Sequence, residues 1–191
     1  LSVVVLYTLV YTPLKVRTSL CTLAGAVCGA IPPMMGWSAA TGALGAGAWI
    51  LGGILFLWQI PHFLSLAWLY RDDYARGGFR MLPALDPAGV VTGRVATVYA
   101  LALAGMTVTA TLAGMTGLLF AAGAVALGAW LTANAFRLAL SRGEREARRL
   151  FLSTLAYLPL LLSLMVADRS PASPTSAGLL AAGPAWTQTS R

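Results

Sequence analysis

Apolar runs about as long as a bilayer is thick alternate with short polar connections along almost the whole chain. Allowing about 20 residues per crossing, spans fall near 1–11, 19–36, 44–70, 94–115, 118–140 and 150–167. The connections between them are 12–18, 37–43, 71–93, 116–117 and 141–149. The first run is shorter than a crossing and begins at residue 1, so the chain is expected to be a C-terminal portion of a longer membrane protein. The fold class expected is all-α, a polytopic transmembrane bundle over 1–169. The Pro/Ser/Ala-rich stretch 170–191 contains an apolar piece too short to span, and is expected to be a disordered tail.

Composition agrees with that pattern. The chain is 58% hydrophobic and 10% charged, where soluble domains carry about a quarter charged residues. A net charge of +7 would suit nucleic acid if it formed a patch, but it does not. Eleven of the 13 Lys and Arg residues sit in or beside alternate connections: Lys15 and Arg17; Arg71, Arg76, Arg80 and Arg94; Arg137, Arg142, Arg145, Arg148 and Arg149. Connections 37–43 and 116–117 have none. Basic loops stay on the cytoplasmic side, so the three charged connections share one face, cytoplasmic or mitochondrial-matrix. Cys21 and Cys28 lie roughly 10 Å apart on a helix, too far for a disulfide, and read as small packing residues. Dense small residues such as "GAVCG" at 25–29 allow the close helix contacts that hold membrane bundles together.

Chemistry concentrates in "FLWQIPHFLSLAWLYRDDYARGGFRML", residues 56–82. Pro61 removes a backbone donor and is expected to kink or break the 44–70 helix. His62, the one histidine of the chain, follows it. An ionisable group inside a span is a functional candidate by default. A helix continued past Pro61 would place His62, Leu66, Leu69 and Asp73 along one face, lining two levels of one cavity. Asp72 and Asp73 beside Arg71 and Arg76 suit Mg²⁺ bridged to a phosphorylated ligand, because Mg²⁺ takes one or two carboxylates and completes its shell with water and phosphate. Local Asp–Arg pairing in a solvated loop is the alternative. The sequence has no P-loop, HExxH, CxxC or nucleophile-elbow motif.

"YTPLKVRT" (11–18), "GAIPPMMGWSAATG" (29–42), "WQIPHF" (58–63) and "YRDDYARGGFRML" (70–82), in that order, resemble the protoheme IX farnesyltransferase (heme O synthase) family of the UbiA prenyltransferase superfamily. The resemblance runs from residue 1 to about 169. It implies nine membrane helices around a cavity open to lipid, with two polar loops holding Mg²⁺ and the diphosphate of farnesyl diphosphate. Span 44–70 would be the sixth helix, Asp72 and Asp73 its following loop, and the first Asn/Asp-rich loop would precede residue 1. The implied reaction moves a farnesyl group from farnesyl diphosphate to a vinyl group of heme b, giving heme O for terminal oxidases. It further implies Mg²⁺ on Asp72 and Asp73, and phosphate-side charges at Lys15, Arg17, Arg71 and Arg76. His62 would position heme, and Trp58 and Phe63 would pack on apolar substrate. A bacterial inner membrane, or alternatively the mitochondrial one, is the implied location, with heme A synthase as a possible partner. The competing readings are a transporter whose helix breaks at Pro61, or a heme-binding assembly factor without catalysis.

Overall fold

The computed structural model describes residues 7–14 and 16–169. A π-helical turn over Tyr7–Tyr11 runs into a single α-turn, Thr12–Leu14. Five helices long and apolar enough to cross a membrane follow. These are α1 (Cys21–Thr41), α2 (Ala46–Leu69), α5 (Val90–Leu112), α6 (Leu118–Ser141) and α7 (Glu144–Ala167). Two short helices, α3 (Arg71–Arg76) and α4 (Leu82–Leu85), lie between α2 and α5. No strand forms among the described residues; one isolated bridge joins Thr116 to Arg169.

The helix ends follow from local chemistry that hydropathy alone does not register. Residues 37–41, expected in a connection, extend α1. It stops only at Gly42, which adopts a left-handed φ of 75° and donates its N–H to Ser38 O, a conformation glycine takes without strain. α5 starts at Val90, before the expected 94, because Asp86 Oδ2 accepts the Thr92 N–H at 2.7 Å, satisfying a free N-terminal amide. The connection 141–149 shrinks to Arg142 and Gly143, since α7 already begins at Glu144 with two glutamates in its first turn, where the helix dipole favours them. Connection 71–93 is largely helical, as α3, α4 and the start of α5. Asp168 belongs to the fold: its Oδ2 accepts the Phe120 N–H at 2.6 Å and caps the start of α6 from the far end of α7. Residues 1–6 and the expected tail 170–191 lie outside the described residues.

α2 packs against α1, α5 and α7; α5 also packs on α6, and α6 on α7. Helices α2, α5, α6 and α7 therefore close a ring, with α1 laid against α2 outside it. Small residues set the spacing. A Cβ added at Gly93 would meet the Ala139 Cα at 2.5 Å, and one at Gly128 the Ala104 Cβ at 2.6 Å. Within the ring lie buried Ile54, Ile60, Leu103, Phe120, Leu131, Leu138, Leu150, Tyr157 and Leu161. Cys21 and Cys28 are buried and unbridged, as expected.

The chain direction puts the start of α1, the α2–α5 connection and the α6–α7 connection at one end of the bundle. Single cysteines at exposed Ala75 and Arg145, in a background lacking Cys21 and Cys28, are expected to react with an impermeant thiol reagent from the same side. A cysteine at Thr41 should react from the other. Reaction of the first two from opposite sides would overturn the topology. Gly93→Ala is expected to lower the thermal midpoint in detergent through overpacking that costs roughly 1–3 kcal/mol. Gly105→Ala, with nothing within 4 Å of the added methyl, should be neutral or mildly stabilising. Equal midpoints would show that α5 and α6 separate freely.

Candidate active site

The bundle brings His62 onto α7. Its ring stacks between Trp58 (centroids 4.9 Å apart, planes at 17°) and Phe151 (5.0 Å, 27°), with Phe63 meeting it edge-on at 5.3 Å. His62 Nδ1 lies 2.9 Å from Thr154 Oγ1. That hydroxyl has one proton, and it is donated to Phe151 O at 2.6 Å. Thr154 Oγ1 therefore accepts from His62, and the imidazole carries its proton on Nδ1. Nε2 keeps its lone pair and has no hydrogen-bond partner among the described residues. The Thr154 carbonyl accepts a second bond from α2, from Trp58 Nε1 at 2.8 Å. One residue of α7 thus fixes both an imidazole and the indole stacked on it.

Pro61 does not break α2; the helix is continuous over Ala46–Leu69. The bundle absorbs the proline, with α1, α5 and α7 packed around the segment. The helix ends one residue beyond, at Tyr70, whose φ of −112° and ψ of 24° are not helical. The expected single face from His62 to Asp73 therefore stops at Leu69, and the aspartates ride on the separate helix α3. Asp73 pairs with Arg76 one turn along α3, and Asp72 stands 4.0 Å from Arg71 Nε. Both aspartates are largely exposed. Arg71 is a hub. It reaches Glu144 of α7 at 3.5 Å, donates to Trp68 O at 3.2 Å, and lies over the Trp68 ring at 4.9 Å. Gly89, with φ 69°, seats against the same indole, where a Cβ would collide with it.

Two clefts flank α2 on the α1 side. One, of 190 Å³, is lined by Tyr11, Thr22, Gly25, Gln59, Phe63 and Met81. The other, of 270 Å³, is almost wholly apolar and includes Leu23, Ile60, Leu64, Val95 and Tyr99. On the α7 side, a 370 Å³ pocket at the charged end is lined by Leu69, Tyr70, Glu144, Arg145 and Arg148.

The model of the UbiA prenyltransferase family matches residues 1–156. The chain belongs to the UbiA prenyltransferase family. It is 45% identical over 163 residues to a protoheme IX farnesyltransferase of Solibacter usitatus, covering 85% of this chain and 56% of that protein. It is 44% identical over 173 residues to the human mitochondrial protoheme IX farnesyltransferase, covering 91% and 39%. A third relative, the protoheme IX farnesyltransferase of Koribacter versatilis, is 43% identical. The chain spans about half the length of the curated relatives it matches. No solved structure matches.

As a UbiA-family bundle, the fold gathers the site candidates unevenly. His62, Trp58 and Phe63 form one aromatic cluster. Asp72, Asp73, Arg71 and Arg76 form a second group on and beside α3. Arg17 is exposed in the turn before α1, and Lys15 lies outside the described residues. Trp58 is turned onto His62 and the Thr154 carbonyl. Sequence reasoning missed Thr154 and Phe151. A threonine buried in the 150–167 span is a faint signal, because a polar side chain there must find a partner.

Because this chain has one histidine, ¹⁵N-histidine labelling reports that ring alone. The spectrum is expected to show a protonated Nδ1 and an unprotonated Nε2. Thr154→Val removes the acceptor and should move the ring toward the other tautomer, while Thr154→Ser should keep the original one. An Nε2-protonated ring in the unaltered protein would contradict the bonding scheme.

Proposed function

We propose that the protein takes part in transferring the farnesyl group of farnesyl diphosphate to a vinyl group of protoheme IX, giving heme O and diphosphate. The observation that carries this reading is the pairing of a lipid-depth imidazole having a free Nε2 with an Asp–Asp–Arg group on the next helix. The relatives named for protoheme and farnesyl transfer supply the two substrates. The transporter alternative relied on a helix broken at Pro61, and the continuity of α2 removes that support.

In this reading the C–O bond of farnesyl diphosphate breaks with its electron pair leaving on diphosphate. The vinyl π electrons form the new C–C bond, and water adds to the resulting cation with loss of a proton. Negative charge develops at the membrane surface, where Arg71 and Arg76, with Arg17, would draw it. Asp72 and Asp73 fit a shared rather than a resident metal. They are adjacent and exposed, as suits Mg²⁺ that arrives with a phosphorylated ligand. Bound there, Mg²⁺ would neutralise the leaving diphosphate. The apolar cleft lined by Leu23, Ile60, Leu64 and Val95 would take the isoprenoid and keep water from the allylic cation. His62, its Nδ1–H held by Thr154, would present Nε2 to the heme iron. The relatives are bacterial and mitochondrial, and either membrane accommodates such a bundle. Supply of heme O to a heme A synthase and a terminal oxidase follows if the reaction is as proposed.

Asp73→Asn in the natural polypeptide is expected to lower turnover at least ~100-fold, the range for losing one electrostatic stabiliser. Asp73→Glu should restore only part of the activity, since Mg²⁺ tolerates little change in ligand distance. Arg76→Gln removes the ion pair and the phosphate-side charge together: an exposed pair contributes ~1 kcal/mol or less, so stability should change little while turnover falls. Heme O formation from farnesyl diphosphate and protoheme checks all three variants. Full activity in Asp73→Asn would remove the carboxylate from the mechanism.

A further inference from the structure

The charged pocket between the end of α2 and the start of α7 is not used by the mechanism above. It contains Arg145 and Arg148, both exposed and without a salt-bridge partner among the described residues. Glu144 is the one acid lining it, and Arg71 already pairs with that carboxylate. The pocket thus presents two uncommitted guanidiniums and a neutralised glutamate, a setting that favours anionic oxygens.

Its position along the helices is specific. On α7, Arg148 lies one turn before Phe151, the ring that stacks on His62, and Arg145 lies one turn before Arg148. On α2, His62, Leu66 and Leu69 run down one side of the helix, and none of the three is buried. That α2 row leads from the His62 ring to Leu69, which lines the pocket. At 1.5 Å per residue, the seven residues from His62 to Leu69 span about 10 Å. A flat apolar ring system centred over Nε2 would therefore lie along Leu66 and Leu69, with its edge reaching the arginines. That spacing is comparable to the distance from the centre of a porphyrin to the carboxylates of its propionate arms.

We propose that Arg145 and Arg148 bind the propionate carboxylates of the porphyrin substrate, so that its two acidic arms lie at the charged membrane face while His62 takes the iron. This inference rests on the protoheme reading above and adds the substrate's orientation. The arms anchored at the rim leave the opposite, vinyl-bearing edge pointing into the bundle.

Phosphate oxygens would suit the same guanidiniums, so the test separates the two sources. The natural polypeptide is titrated with ferric protoheme IX and with its dimethyl ester, followed by Soret absorbance. Unaltered protein is expected to bind the free acid at least ~10-fold more tightly than the ester, the scale of charge-assisted hydrogen bonds. Arg145→Gln with Arg148→Gln should bind both with the weak affinity of the ester. Arg148→Lys should keep part of the preference, and KM for farnesyl diphosphate should not change in any of them. A double variant that still prefers the free acid would overturn the proposal. So would a raised KM for farnesyl diphosphate with heme affinity intact, which would assign the pocket to the diphosphate. No Soret binding by the unaltered protein would sink the protoheme reading itself, and this inference with it.

Discussion

Inside a bilayer little water is available to satisfy a stray donor, so a polar group in a span is stabilised by finding its partner in protein. α2 carries Trp58, Gln59, His62 and Ser65 within two turns, and it resolves them in two ways. Gln59 and Ser65 bond back to their own helix, at Leu55 O and His62 O. Trp58 and His62 instead cross to Thr154 of α7. Those two bonds tie the α2–α7 contact, close the helical ring, and give the histidine its tautomer. Without them an indole N–H and an imidazole would each be left unpaired in an apolar interior, at a cost of roughly 1–3 kcal/mol apiece. The site and the bundle therefore share one set of interactions.

Much of this was legible in the sequence, because hydropathy and charge alternation are strong signals in membrane chains. The spans near 44–70, 94–115 and 118–140 correspond to α2, α5 and α6 within a few residues, and the polar residues that matter fall in the segment singled out at 56–82. Helix ends were read less well. Gly42, Asp86 and Asp168 set them through a left-handed turn or a cap donated by a residue outside the helix, and no window average records either. Pro61 misled for a related reason. Proline's cost is a local property, whereas the packing that outweighs it comes from three other helices.

The site was half legible. Residue type and sequence proximity marked His62 and the aspartates, but a linear reading could not find Thr154 and Phe151, 92 and 89 residues further on. It also assumed one helix from His62 to Asp73, and Tyr70 interrupts it. That interruption changes the chemistry available. Had α2 continued, the Asp73 carboxylate would have been locked to the histidine's face. On α3 they answer instead to Arg71 and Arg76, and through Arg71 to Glu144 at the head of α7.

The resulting division between interior and rim suits the cation chemistry proposed above. Charged groups that attract a departing anion are least costly where water still screens them, and inside the bilayer they would carry a desolvation penalty. A carbocation needs the reverse, an environment without water to trap it. In the proposed reaction, Arg71 and Arg76 on a short helix just outside the span, and aromatic and aliphatic side chains just within it, would meet both needs over a few helical turns. His62 sits on the inner side of that boundary, and its stacked neighbours leave it a single exposed nitrogen. A residue with such restricted freedom makes a poor general base for a mobile substrate, but a suitable fixed point against which a large flat one can be held.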